Sequence, residues 1–404
     1  MLAKVQTTNA SIRQRNAEGD DTGQLPQWRD LVAAGLYHMG ALRILEAVAR
    51  HYEFRKSNRR GLAISRRAAH PKFVVLCYHR IGMHGIPLFS ELPPEVFEAQ
   101  MRYVRERYRV LSLDDLCEEM DKPTRKADAV AVTFDDGYRD LHTHALPVLR
   151  KYQIPATIFL PVASIETGQV PWYDRIFLAL KVFPKDELEI VLDRSRSFRL
   201  GSSHARLRAA TEIIQYLRTL ADVRRKEYCS TLEEQVILPQ DELKDRMLTW
   251  DLIRAMYREG INFGSHTMTH PVVSQLTNFQ LESELGESKQ VLEQRIGGPA
   301  LHFAYPFGQP ADCGTAALPL LVRNGYRSAA TTIEGTNEPG DSRYQLCRSQ
   351  VGNERSLAMF ALKLNQLFLS SGAVHSASTA PDVSSVLGKP PVESKRQQRR
   401  VTNA

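Results

Sequence analysis

The 404-residue chain is 43% hydrophobic and 25% charged, an ordinary balance for a globular protein and enough length for one large domain with extensions. Its 53 Lys and Arg against 46 Asp and Glu leave a formal charge of +7, too modest an excess, with no aromatic-interleaved basic groove, to indicate nucleic acid as a partner. Five cysteines, odd in number and without a CxxC pair, argue against a disulfide framework or zinc knuckle and for buried thiols in a reducing compartment.

Residues 1–27 are polar and offer too little apolar surface to offset the entropy of ordering, so they are expected to be disordered. They lack the apolar core of a secretory signal, which favours a cytoplasmic location. Residues 28–72 read as a helix and a basic linker. Apolar residues recur at helical intervals (Leu31, Ala34, Leu42, Leu45, Val48, Ala49), but His38, Arg43, Glu46 and Arg50 make the segment too polar for a membrane span. From Arg50 to Lys72 there are eight Lys or Arg and one acid, Glu53. A solvated linker is the ordinary reading, and peripheral contact with an anionic membrane is its alternative.

Beyond this, short apolar runs alternate with helical patterns. Strands are expected at "FVVLCY" (Phe73 to Tyr78), "AVAVTF" (Ala129 to Phe134), "ATIFL" (Ala156 to Leu160), "INFGS" (Ile261 to Ser265), "HFAYP" (His302 to Pro306) and "RSAATT" (Arg327 to Thr332), with helices between them. Thr249 is an expected N-cap, and Gly260 and Gly325 are expected helix stops. Runs buried on both faces and alternating with helices imply a parallel α/β sheet or barrel. Residues 171–246 break the rhythm as a charged, mostly helical insertion. A C-terminal helix is expected over 351–370, then a disordered basic tail over 371–404.

In a parallel barrel the loops after the strands gather at one mouth, and there the polar exceptions fall: Tyr78-His79-Arg80, Asp135-Asp136-Gly137, "GSHTMTH" (Gly264 to His270) and "FAYPFG" (Phe303 to Gly308). In isolation a DDG triplet reads as a turn and HxxxH as structural histidines; Pro271 places His270 on a turn rather than a helix. In combination, two His and one carboxylate make an open set for a divalent cation such as zinc. Side chains alternate along a strand, so the adjacent Asp points elsewhere and is left to act as a base on a cation-activated water.

"TFDDG" (Thr133 to Gly137), "SHTMTH" (Ser265 to His270) and "YPFG" (Tyr305 to Gly308), in that order, resemble the leading motifs of the polysaccharide deacetylases, the NodB-homology or carbohydrate esterase family 4 enzymes. The likeness covers about residues 73–350. It implies a deformed (β/α) barrel with the helical insertion, and hydrolysis of N-acetyl or related acyl groups on amino sugars of a polysaccharide or lipid-linked glycan, using zinc or another divalent cation. It makes Asp135 the base, Asp136, His266 and His270 the metal ligands, and Tyr305 and Pro306 part of the substrate groove. The Phe307 backbone N–H would face the oxyanion.

The sequence departs from the pattern twice. Many members carry an Arg in the third motif that steadies the base, where this chain has Ala304, and their final strand supplies a His as general acid, where this chain has Leu346-Cys347-Arg348. Arg348 is the candidate for the missing charge, and His79 for the missing acid or a substrate contact, with a structural histidine as its alternative. The sequence is similar to the poly-N-acetylglucosamine deacetylase branch, which also carries "FAYP" and a "YH" pair. Trp172 and Asp174, opening the insertion, would stack and hydrogen-bond a sugar or else anchor the inserted helices. A deformylase or cyclic-amide hydrolase on the same fold, and a non-catalytic carbohydrate-binding barrel, are the other functional readings.

Overall fold

The computed structural model describes residues 71–369, apart from 83–90, 123–126, 192, 237, 239–242, 244–245, 353 and 355. The expectations for residues 1–70 and 371–404, including the N-terminal helix and the basic tail, lie outside the described residues. Among those described, no helix is long and apolar enough to cross a membrane.

Seven parallel strands build the core: β1 (Phe73–Tyr78), β2 (Ala129–Phe134), β3 (Ala156–Leu160), β4 (Asn262–Ser265), β5 (His302–Ala304), β6 (Ser328–Ala330) and β7 (Arg348–Gln350). Their order is β6-β5-β4-β3-β2-β1-β7, and a two-residue strand, Arg109–Val110, pairs beside the start of β2. The chain entering β7 pairs back onto β6 through Leu346 N–H to Ala329 O and Thr331 N–H to Leu346 O, both 2.9 Å, so the sheet becomes a nearly closed barrel. The six expected strands are all present, the later three shorter than expected; β7 was recognised in the sequence only by analogy.

The strand alternation sets up the site. Along β1 and β2 the inward positions run Phe73, Val75, Cys77 and then His79, and Ala129, Ala131, Thr133 and then Asp135, from apolar at one end to polar at the other. Phe73, Val75, Ala129 and Ala131 cluster with Phe159, Ala304, Ala330 and Leu346, and α2 (Leu113–Asp121) closes that end with Leu113, Leu116 and Met120. Outward-facing Tyr78 and Phe134 pack on Phe97 of α1 (Pro94–Arg107), with centroids 5.3 and 5.8 Å from its ring, and the Tyr78 hydroxyl donates to Gln100 at 2.9 Å. Each aromatic thus fixes the strand end immediately before a candidate catalytic side chain.

The insertion contains α3 (Trp172–Val182), an antiparallel hairpin (Glu187–Val191 with Ser195–Arg199), α4 (Ser203–Leu217) and α5 (Asp222–Glu233). The segment is mostly helical, as expected, and the hairpin is an addition to that reading: Leu188, Ile190 and Phe198 are its buried positions, alternating with more exposed ones. Thr249 caps α6 (Trp250–Arg258) through the Leu252 N–H, and Gly260 and Gly325 take positive φ as expected. The C-terminal helix, α8 (Leu357–Leu369), lies outside β1 and α1, with Phe368 stacked on Tyr108 at 4.9 Å; the intervening α7 (Ser288–Ile296) packs on β4.

Gly264 in β4 marks how tightly the barrel is drawn there, since an added Cβ would lie 2.6 Å from the His302 carbonyl and 2.7 Å from the Phe159 ring. Gly264→Ala is expected to destabilise the fold by about 1–3 kcal/mol in urea unfolding, as overpacking does; an unchanged midpoint would show that this approach has slack.

Candidate active site

Asp135 continues the extended course of β2, its N–H donating to Tyr78 O at 2.9 Å, while Asp136 turns into the left-handed region at φ 72° and Gly137 follows at 70°. Because the strand ends between them, both carboxylates reach the same mouth, Asp135 Oδ2 and Asp136 Oδ1 lying 4.0 and 3.7 Å from His266 Nε2. This replaces the expectation that the strand's two-residue period separates them. An added Cβ at Gly137 would lie 2.5 Å from Leu160 Cδ2, so the turn is tight as well as left-handed.

The loop after β4 carries His266 and His270, with Thr267 at φ 68° and His270 at 58°. His270 sits on a turn, as Pro271 implied. The Thr267 hydroxyl accepts the His270 N–H at 2.9 Å, and Trp172 Nε1 donates to the His270 carbonyl at 3.0 Å. Glu284, from a π-bulge at Ser283–Glu287, accepts the Met268 and Thr269 N–H groups at 2.8 Å each and the Thr269 hydroxyl at 2.7 Å. Of five non-glycine residues with positive φ among those described, four (Asp136, Thr267, His270, Phe307) belong to this mouth, where left-handed backbone costs roughly 1–3 kcal/mol each and persists only because neighbours over-determine it.

Asp136 Oδ1 lies 3.4 Å from His270 Nε2 and 3.7 Å from His266 Nε2, is buried, and accepts no well-formed hydrogen bond. Tetrahedral zinc with oxygen and nitrogen ligands has an O···N edge of about 3.4 Å, so the three donors are spaced for one divalent cation. His266 Nδ1 is 2.7 Å from the Ala304 carbonyl, which fixes the tautomer that leaves Nε2 as the donor atom. Burial pushes His266 down to about 4, against the opposing pull of Asp135, so its ring is neutral at neutral pH.

Asp135 stands beside this set, Oδ2 4.0 Å from His266 Nε2. Arg348, fully buried on β7, grips it with Nη1 to Oδ1 and Nη2 to Oδ2, both 2.7 Å, and spends Nε on the Thr331 carbonyl. Burial alone would raise the Asp135 carboxyl, but the Arg348 guanidinium and then His266 hold it at about 2. Cys77 Sγ approaches Oδ2 at 3.4 Å, and His79 completes a group with Cys77 and Asp135. Phe307 sits at φ 60°, and its N–H donates to no acceptor among the described residues, while its carbonyl accepts the Thr332 hydroxyl.

Four residues considered for substrate contact, Trp172, Asp174, Tyr305 and Pro306, are all buried against protein. Trp172 is 8% exposed, bonded to the His270 carbonyl and covered by Arg225, whose guanidinium lies 4.8 Å from the ring, contacts that match the anchoring alternative. Asp174 is fully buried, paired with Arg80 and accepting the Tyr138 hydroxyl at 2.9 Å, which ties the insertion to the end of β1. The Tyr305 ring packs inward against Phe303, its hydroxyl 3.4 Å from the Tyr344 carbonyl, so it does not line a groove, and adjacent Pro306 is buried too. Instead Arg218 of the insertion lies over the Phe307 ring at 4.3 Å while paired with Asp312 at 2.9 Å. Glu284 and Arg218 carry no mark in the sequence; each matters only through what the fold sets beside it.

Glu284→Ala would free the Met268–Thr269 amides and let the histidine loop relax. The expected result is a loss of cation affinity of about 10–100-fold in chelator competition, with partial recovery in Glu284→Gln; unchanged affinity in Glu284→Ala would remove the clamp.

The polysaccharide deacetylase family model matches residues 122–328, just over half of the chain. YxkH of Bacillus subtilis, assigned to the polysaccharide deacetylases, is 23% identical over 300 residues, which are 73% of this chain and 77% of YxkH. Among solved structures, the Streptococcus pyogenes deacetylase PplD in complex with acetate has a TM-score of 0.50 at 19% identity, covering 74% of this chain and 99% of PplD. IcaB from Ammonifex degensii gives 0.46 at 18% identity, covering 74% and 98%. Because the family match runs from β2 to β6 and so takes in all three ordered motifs at the one barrel mouth, the chain belongs to the polysaccharide deacetylase family, hydrolases of amide bonds.

Proposed function

We propose that the chain removes N-acetyl or related acyl groups from amino sugars of a polysaccharide or lipid-linked glycan. The observation that carries this reading is an ionised carboxylate, Asp135, held by Arg348 at 2.7 Å beside the Asp136, His266 and His270 donor set. A binding module gains nothing from a buried, charge-clamped base next to an open cation set.

Asp136, His266 and His270 would hold a divalent cation, which would supply Lewis-acid stabilisation and make water a better proton donor. Asp135 accepts a proton as water attacks the acyl carbon. Arg348 acts as a positioning residue, fixing both carboxylate oxygens and keeping the group ionised where burial alone would protonate it. It also lowers the basicity of Asp135. The Phe307 N–H stabilises the oxyanion of the tetrahedral intermediate. His79 donates a proton to the departing nitrogen, the C–N bond breaks, and the products are a carboxylic acid and a free amino sugar.

Acetate release from chitooligosaccharides and poly-N-acetylglucosamine oligomers, with metal content measured on the same samples, tests the assignment. Asp135→Asn should keep its metal and lose about 10²–10⁴-fold in turnover, the span of a general base, whereas Asp136→Asn should lose metal. Arg348→Met should lose turnover with metal retained, and Arg348→Lys should recover part of it, since it restores charge but not the bidentate fork. Full activity in Asp135→Asn, or no acetate released by the metal-loaded native protein from any of these substrates, would sink the reading.

A further inference from the structure

A second set of ligand types meets at the same mouth, and the deacetylation chemistry leaves one of its members, Cys77, without a task. Cys77 and His79 are two apart on β1 and its continuation, so they face the same side, and Asp135 follows the neighbouring strand β2 in register with them. One ligand atom from each of Cys77, His79 and Asp135 lies within 4.8 Å of the other two.

We propose that Cys77, His79 and Asp135 form a second, inhibitory site for a thiophilic divalent cation such as zinc, next to the cation set of Asp136, His266 and His270; the inference rests on the proposed roles of Asp135 and His79. Sulfur, imidazole nitrogen and carboxylate oxygen are all zinc ligands, and three of them with one open position is a recurrent arrangement. Cys77 Sγ lies 3.4 Å from Asp135 Oδ2. Zinc with one thiolate and one carboxylate ligand has an S···O edge of about 3.6 Å, so the cation takes the place of the proton now shared along that line. Binding forms the Sγ–cation bond and releases the thiol proton to solvent.

One charge effect sets the order of filling. Arg348, bound to both Asp135 oxygens, repels a cation here, while the Asp136 set faces no guanidinium at contact distance among the described residues. The Asp136 set therefore fills first and the Cys77 set second. Thiolate ligation confines the second step to soft cations, so magnesium and calcium do not drive it. Once filled, the site engages base and acid together, and turnover stops even though the first cation stays in place.

Equilibrium dialysis against zinc, cobalt absorption and deacetylation rate, measured on the full chain over rising cation concentration, test this. Native protein should take two ions, show a thiolate-to-cobalt charge-transfer band only with the second, and lose activity about tenfold or more between one and several equivalents of zinc. Cys77→Ala and Cys77→Ser should take one ion, show no such band, and lack the decline; two substitutions of different size guard against a folding defect in either. Two ions in both variants, or no thiolate band in saturated native protein, would overturn the second site. Asp136→Asn separates the two readings. It should keep the band while losing the other ion, and if it instead binds exactly as native does, the deacetylase assignment of Asp136 fails while the band still decides the Cys77 site.

Discussion

The Arg348–Asp135 pair is the interaction on which the arrangement turns. It joins the strand that closes the barrel, β7, to the end of the strand that presents the candidate base, β2, with no solvent at either partner. Two charges removed from water repay their desolvation only with good geometry and full hydrogen bonding, and both are present: two parallel bonds to Asp135, and Nε on the Thr331 carbonyl. Closure of the barrel and ionisation of Asp135 are thereby one event. A barrel left open at β7 would leave a buried carboxylate that burial alone would protonate.

The resemblance placed such an arginine in the third motif, at the position of Ala304. Here the charge reaches the same carboxylate from another strand, and position 304 does something else: its carbonyl orients His266. The third-motif strand thus still serves the site, through its backbone. Since an arginine's role is set by where its fork arrives rather than where its Cα lies, loss of a motif residue is weak evidence for loss of activity.

How much of this was readable depends on the kind of signal. β1, β2 and β3 match their apolar runs because a parallel strand buried on both faces leaves a continuous hydrophobic trace. The convergence of Asp135, Asp136, His266 and His270 was readable because loops after parallel strands share one mouth. The α2 segment "LDDLCEEMD" was hidden by its five acids, of which Asp115, Glu118 and Asp121 are exposed while Leu113, Leu116 and Met120 close the barrel end. The insertion hairpin was hidden by its charged alternate positions. Whether Trp172 and Asp174 met sugar or protein was undecidable from sequence, since either use asks for the same aromatic and carboxylate; both are buried against protein. Glu284 lay in an unremarkable helical pattern because its clamp depends on a π-bulge that no periodicity announces.

That anchoring changes what the insertion is. Trp172 holds the carbonyl of a candidate metal ligand, Asp174 holds Arg80 at the end of β1, and Arg218 covers the ring of Phe307. Three separate parts of the mouth, the histidine loop, the β1 end and the third-motif turn, therefore each lean on the insertion. Two of those parts, the histidine loop and the third-motif turn, contain residues in left-handed backbone, which need external contacts to hold them. A segment that supplies those contacts from its buried face cannot swing away as a lid without loosening the donor set itself. The insertion belongs to the wall of the active site, and the rigidity of the candidate metal centre is borrowed from it.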